Sequence, residues 1–461
     1  MEPWQLAGTE VARLVREGTL SASDAVASTL ARIENVNDRL NAIVHRTDED
    51  AIERARAIDE GRVTGPLAGA TITTKVNTDH PPYPTTNGIK SLAGNIPVRT
   101  HPCVQGLLDA GAAMVGRSNS PAFAMRAHTD NELHGETLNP HRIDISSGGS
   151  SGGAAVAVAA GMCHIAQGND VAGSVRWPAH QNGVIGLRPT IGRLVSGGTS
   201  PVARGWSASN MSTNGPIART MADIEAGYRA MRTDNWTDPN WVPARDEFPP
   251  PASPVKVALA LDDGGPCHPA VRDAMVRAAD DLSDAGYDVV ETLPPMLEEF
   301  FTLWKRLGVL DMILGLVAML PTIDDAGLTT AWNNWKDSFP PASGETFLKA
   351  LQERDLVMRA WTGFFADHPV LITPLMTGLT IPRNGDIAHP AAMDEFDVTG
   401  RWGINLSAIA TPALAFPMGR HEGVPVGIQV VSRAWREDIL LGAGRALEQA
   451  RGTVAPVDIA W

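Results

Sequence analysis

A chain of 461 residues, 43% hydrophobic and 20% charged, carries enough apolar material for a large buried core and too little charge for wholesale disorder. A formal net charge of −14 with no basic run excludes a nucleic-acid surface, which needs clustered Lys and Arg. The three cysteines, Cys103, Cys163 and Cys267, are odd in number and widely spaced, which suits neither a disulfide framework nor a metal knuckle and points to a reducing, cytoplasmic setting; Met1-Glu2-Pro3-Trp4 shows no secretion signal.

In chain order, residues 1–66 read as a helical segment packed on the core. Two helices are expected there; in the second, Ser21 is placed to cap with Asp24, and Val26, Leu30 and Ile33 form one apolar stripe. Residues 68–74 read as a buried strand that delivers Lys75 at its C-terminal end. A helix over 104–110 and a short strand at 113–115 continue a crossover pattern. The run 146–153 is almost wholly Ser and Gly, followed by a small-residue helix at 154–160 that Gly161 can cap. A strand at 163–167 and a helix starting at Ser174 come next, and a Pro-rich connector at 246–255 separates the halves.

Beyond it, a strand at 255–261, a helix at 269–283 and a strand at 287–291 have βαβ texture, which implies parallel pairing. Residues 297–366 read as a Trp-rich helical segment. Its most apolar part, 308–320, is interrupted by Asp311 and too short to span a bilayer, so no membrane segment is expected. Strands at 370–373 and 427–431 and a helix from Glu437 close the chain. The predicted architecture is a single α/β domain over 1–461, with a large mixed, mostly parallel central sheet covered by helices on both faces.

The run Gly148-Gly149-Ser150-Ser151-Gly152-Gly153 admits several chemistries. It contains G-x-S-x-G, but the polar stretch before it is unlike the core strand of a nucleophile elbow. No Gly-Lys-Ser/Thr follows, so a phosphate loop fails too, and alone the run reads as a flexible turn. Ser174, in Gly168-Asn169-Asp170-Val171-Ala172-Gly173-Ser174-Val175-Arg176, could present its hydroxyl beside free backbone N–H groups, the donors a developing oxyanion needs; alone, it reads as a helix cap. Ser253-Pro254-Val255-Lys256 spells S-x-x-K without the companion motifs. His128, His134 and His141 lack metal-site spacing, and neither metal nor cofactor is indicated.

The two serine segments together resemble the amidase signature family, whose mark is a Gly/Ser-rich loop followed by G-x-D-x-G-S-x-R-x-P-A, here 168–179. The resemblance extends through Thr74-Lys75-Val76-Asn77, Gly135-Glu136-Thr137-Leu138-Asn139-Pro140, Gly183-Val184-Ile185-Gly186-Leu187-Arg188-Pro189-Thr190, Gly215-Pro216-Ile217-Ala218-Arg219 and Gly423-Val424-Pro425-Val426-Gly427. It implies a Ser–cis-Ser–Lys set, with Ser174 as nucleophile and Ser150, in a cis peptide, relaying protons to and from Lys75. It further implies an oxyanion hole from the N–H groups of Val171, Ala172, Gly173 and Ser174, with Ser151, Asp170 and Arg176 in support.

A lysine serves as a base only when neutral, and burial at a strand end favours that form. Three positions depart from the family pattern: Val76 stands for an acidic residue, Ala172 for a glycine and Arg188 for a lysine. A positive φ at Ala172 would penalise its side chain.

The implied activity is hydrolysis of an amide-type carbon–nitrogen bond through an acyl-enzyme on Ser174. Trp206, Trp304, Trp332, Trp335 and Trp361 favour an apolar or aromatic acyl group if they line the pocket, and packing between helices is the equal alternative. A carbamate, hydrazide or ester hydrolase, or the glutaminase-type component of an amidotransferase, would use the same machinery. The expected partner is a small-molecule amide-type substrate, and a homodimer is admitted.

Overall fold

Five consecutive buried residues form β2 (Thr71–Lys75), and a strand buried along its whole length needs neighbours on both edges and cover on both faces. The computed structural model, which describes residues 1–197, 199, 204–234, 238–245 and 248–461, supplies both. Beside β2 lie β1 (Ile43–Arg46), β3 (Ala113–Ser118), β4 (Ile165–Asp170), β5 (Ile185–Arg188), β6 (Thr213–Ala218), β7 (Lys256–Leu259), β8 (Asp288–Glu291), β9 (Val370–Thr373), β10 (Ala413–His421) and β11 (Val424–Ser432). They make one sheet in the order β1-β3-β2-β4-β6-β5-β10-β11-β9-β7-β8, so strands from both sides of the Pro-rich connector share it.

Alternation along the strands separates two cores. Ala413 and Ala415 of β10 join one apolar cluster, while Leu414 and Phe416 join the other. Helices Ala22–Leu40, Gly152–Ala159 and Ala392–Asn405 pack on the first face; Met221–Met231, Pro269–Asp284 and Glu437–Arg451 pack on the second.

The mixed α/β sheet is present as expected, but its balance needs correcting. Four of the ten strand pairings are parallel (β2 with β3 and β4, β7 with β8 and β9) and six are antiparallel. The βαβ texture after the connector is real, but hairpin-type pairing dominates the middle, where β10 and β11 are joined antiparallel.

Residues 1–66 hold more than two helices. Ser21 Oγ accepts from the Asp24 N–H at 2.9 Å as expected, but a third helix, Asp48–Asp59, follows β1, which pairs antiparallel with β3. The first two residues of the connector 246–255 lie outside the described residues; 248–255 hold neither helix nor strand. In the apolar stretch 308–320, Met312 and Leu316 are buried while Leu314 is 75% exposed. No helix among the described residues is long and apolar enough to cross a membrane.

Candidate active site

Lys75 is the last residue of β2 and is wholly buried. Its Nζ lies 2.7 Å from Ser150 Oγ, 3.1 Å from Ser151 Oγ and 2.9 Å from Asn169 Oδ1. β4 runs parallel to β2, which brings Asn169 alongside the lysine, and the Gln167 carboxamide accepts the Lys75 backbone N–H at 3.1 Å. Burial pulls the Lys75 ammonium down to about 7, and the nearby Asp170 carboxylate opposes that pull. The next side chain, Val76, is buried and brings no charge of its own.

Ser150 sits in the Ser/Gly loop, and the Gly149–Ser150 peptide is cis. The loop is tied down from outside. Thr129 Oγ1 donates to the Gly148 carbonyl at 2.7 Å and accepts the Gly152 N–H at 3.2 Å, and Ser146 Oγ accepts the Gly148 N–H at 2.9 Å. Ser146 is in turn bonded to His128 Nδ1 at 3.0 Å, whose Nε2 meets Glu136 at 2.8 Å. His128 therefore belongs to the loop's scaffold. No group of three metal-type ligands occurs among the described residues.

The Ser151 N–H donates to the Ser174 carbonyl at 3.2 Å, so the two serine-bearing stretches touch. Ser174 is 8% exposed, and among the described residues its hydroxyl has no hydrogen-bond partner. It opens on a cavity of about 60 Å³ walled by Met125, Trp177, Trp304, Trp335, Met393 and Phe396, with Val171, Ala172 and Gly149 at its floor. Thus Trp304 and Trp335 line the cavity. Trp361 instead packs between Phe300 and Trp402, Trp332 against Phe339, and Trp206 against Phe347.

Asp170, at the end of β4, anchors the segment between the strand and Ser174. Its carboxylate accepts from the Gly173 N–H at 2.7 Å, the Val175 N–H at 3.2 Å and the Arg176 guanidinium at 2.9 and 3.0 Å; Arg188 stands 3.7 Å away. Burial alone would raise its pKa, but Arg176, Arg188 and the Gly173 N–H outweigh it and hold the carboxyl at about 2. Arg176 also donates to Gln429 at 2.6 Å and Ser407 at 3.2 Å, joining the loop to β11.

The Gly173 N–H is committed to Asp170, whereas the N–H groups of Val171, Ala172 and Ser174 have no intramolecular acceptor among the described residues. The positive φ of the loop, +106°, falls on Gly173, whose Cα lies against the Trp177 indole, and not on Ala172. The alanine is therefore unstrained.

Sequence reasoning missed Asn169 and Asn77. Asn169 Oδ1 accepts from Lys75, and its Nδ2 donates to Asn77 Oδ1 at 2.8 Å, which fixes which end of the amide faces the lysine. Both stand inside the quoted motifs, beside Lys75 and Asp170, so proximity to a charged motif residue was the available signal. The same applies to Trp177, three residues past Ser174.

The family model described as Amidase matches residues 24–441. An indoleacetamide hydrolase from Bradyrhizobium diazoefficiens (strain JCM 10833 / BCRC 13528 / IAM 13628 / NBRC 14792 / USDA 110) is 37% identical over 459 residues, covering 98% of this chain and 88% of its own. A glutamyl-tRNA(Gln) amidotransferase subunit from Lachnospira eligens is 29% identical, covering 96% of this chain and 98% of its own. The crystal structure of a bacterial aryl acylamidase matches with a TM-score of 0.83 at 24% identity, over 97% and 96% of the two chains, a likeness of fold. The chain belongs to the amidase (amidase signature) family. It is an amidohydrolase, an enzyme that cleaves amide carbon–nitrogen bonds.

Proposed function

We propose that this amidohydrolase acts on amides of aromatic acyl groups, with arylacetamides of the indoleacetamide type as its substrate class, through an acyl-enzyme on Ser174. The carrying observation is the cavity at Ser174, whose walls are rings and thioethers. Its charged member, Arg126, has its guanidinium engaged by Asp386 at 2.9 and 3.1 Å, Asn384 at 2.7 Å and Asp130 at 3.3 Å. A glutamine substrate would bring an ammonium and a carboxylate into a space with no free counter-charge, which disfavours the glutaminase reading despite the amidotransferase relative. The indoleacetamide hydrolase relative supports the aromatic reading.

A neutral lysine amine has two N–H donors and one lone pair. Asn169 Oδ1, an acceptor, takes one N–H and Ser151 Oγ the other, so the lone pair faces the Ser150 hydroxyl. Ser150 then gives its proton to Lys75 as it takes one from Ser174, whose oxygen attacks the substrate carbonyl carbon. The oxyanion that forms is met by the N–H groups of Val171, Ala172 and Ser174. The proton returns along the same path to the leaving nitrogen, releasing ammonia from a primary amide, and water hydrolyses the acyl ester by the reverse route.

A cavity of about 60 Å³ takes the carboxamide and a carbon or two, whereas a benzene ring occupies a cavity of about 150 Å³. The aryl group therefore needs a wall residue to rotate. Met125 and Met393 are the candidates, because an unbranched thioether side chain adapts its shape more readily than a ring.

Cytoplasmic location belongs to the same reading, supported by three cysteines that are free thiols; a homodimer stands as the assembly to test by sedimentation. The deciding experiment is a hydrolysis panel of indole-3-acetamide, phenylacetamide, propionamide and glutamine. The arylacetamides should lead propionamide by at least about tenfold in kcat/KM, the worth of one or two well-packed groups. Preference for glutamine or for propionamide would overturn the assignment.

A further inference from the structure

We propose that Trp304 is a positioning residue for the oxyanion, so that one indole serves as wall of the acyl pocket and as the clamp that aims a backbone donor. The proposal rests on the reading of Ser174 as nucleophile. Two successive carbonyls of the segment before Ser174 are held by indole N–H groups: Trp304 Nε1 donates to Val171 O at 2.8 Å, and Trp177 Nε1 donates to Ala172 O at 2.6 Å. A trans peptide unit is planar, so anchoring a carbonyl also fixes the direction of the N–H across the same bond. Trp177 thereby orients the Gly173 N–H, which Asp170 already holds from the other side. Trp304 orients the Ala172 N–H, and that unit has no second anchor among the described residues.

The two clamps differ in origin. Trp177 is local, three residues after the nucleophile, whereas Trp304 is 133 residues away from Val171, on the helix Leu303–Asp311. Trp304 is itself set in place. Its backbone N–H donates to Asn405 Oδ1 at 3.0 Å, and its ring stacks on Trp335 with centroids 5.6 Å apart and planes at 17°. Trp335 is held by Asp397, which is paired with Lys305. The acyl wall and a reacting N–H thus share one rigid group, and a substrate that packs on Trp304 also steadies the donor.

The test separates shape from hydrogen bonding by replacing Trp304 with 3-benzothienylalanine, a ring of the same outline with sulfur in place of N–H, alongside Trp304→Phe. Loss of aim at one donor should lower kcat by about 10- to 100-fold with KM within about threefold, and equally for phenylacetamide and propionamide, since the donor is common to both. Fluorophosphonate labelling should slow in parallel yet still reach one label per chain, on Ser174. Should Trp304→Phe fail to fold, the benzothienyl variant keeps the packing and decides. Unchanged kcat, a rise in KM alone, or a loss confined to phenylacetamide would overturn the proposal and leave Trp304 as wall only. Labelling at another residue in the unsubstituted enzyme would instead strike the nucleophile assignment, a distinct outcome.

Discussion

On one side of the cavity, Lys75, Ser150, Ser151, Asn169 and Asp170 stand on strand ends and a clamped loop, and nearly every polar atom has a named partner. On the other side, Trp335, Met393 and Phe396 meet the same space from helices that connect the strands, with ring packing as their main constraint. Hydrogen bonds tolerate displacements of tenths of an ångström, while apolar contacts tolerate any group of similar volume. On the proposed function, the first side specifies a reaction and the second a range of substrates.

The comparison breaks first at the proposed nucleophile. Ser174→Ala should lower kcat by at least about 10⁴-fold, as removal of a nucleophile does elsewhere, while its thermal midpoint stays put, because a hydroxyl without a partner among the described residues contributes little to folding. Steady-state assay and thermal melting check both halves.

Lys75→Met should cost about 10³-fold in kcat/KM. In the unsubstituted enzyme kcat/KM should climb tenfold per pH unit below about 7 and level off above it, since the amine must shed its proton to act. The same shift makes the fold bind fewer protons than the unfolded chain between about 7 and the ordinary value of 10.5, so stability rises with pH across that window. Denaturant midpoints at several pH values should show this slope shrinking in Lys75→Met.

Asp170→Asn removes the counter-charge of buried Arg176 and Arg188 and should cost about 3–5 kcal/mol of stability, the usual penalty for orphaning a buried charge. Urea unfolding measures it. On the apolar side, Phe396→Ala should reduce kcat/KM for phenylacetamide by about 10- to 100-fold and leave propionamide within about threefold. A uniform loss for both substrates would erase the division between the two sides.

The residues proposed to react stand out in the sequence because each sits in a distinctive motif: a lysine ending a buried strand, a serine among glycines, a serine between Gly173 and Arg176. Their support was not. Asn169 and Asn77 are ordinary polar residues until β2 and β4 run side by side and turn their amides together. Four strands escaped notice for local reasons. β1 turns polar after Ile43-Val44, β5 is interrupted by Gly186, β6 contains Gly215-Pro216, which reads as a breaker, and β10 carries Pro417 at a shift of register. Among the tryptophans, sequence could not say which face the cavity, because helix packing over long separations decides it. Trp304 and Trp361 share a composition and a segment but differ in what their indoles reach, Val171 or Pro295.

The glycines of the serine loop restrict how such an enzyme can change. A methyl added at Gly149 would collide with the Arg126 carbonyl, at Gly152 with Thr129, and at Gly153 with the backbone of Asn119 and Ala42. No rotamer relieves a clash between backbone and Cβ. Diversity introduced at 149, 152 and 153 would therefore yield misfolded chains, whereas diversity at 125, 335, 393 and 396 would yield folded ones that differ in appetite. Drift and directed evolution face the same asymmetry: new acyl groups are reached by repainting one wall while the opposite wall is inherited unaltered.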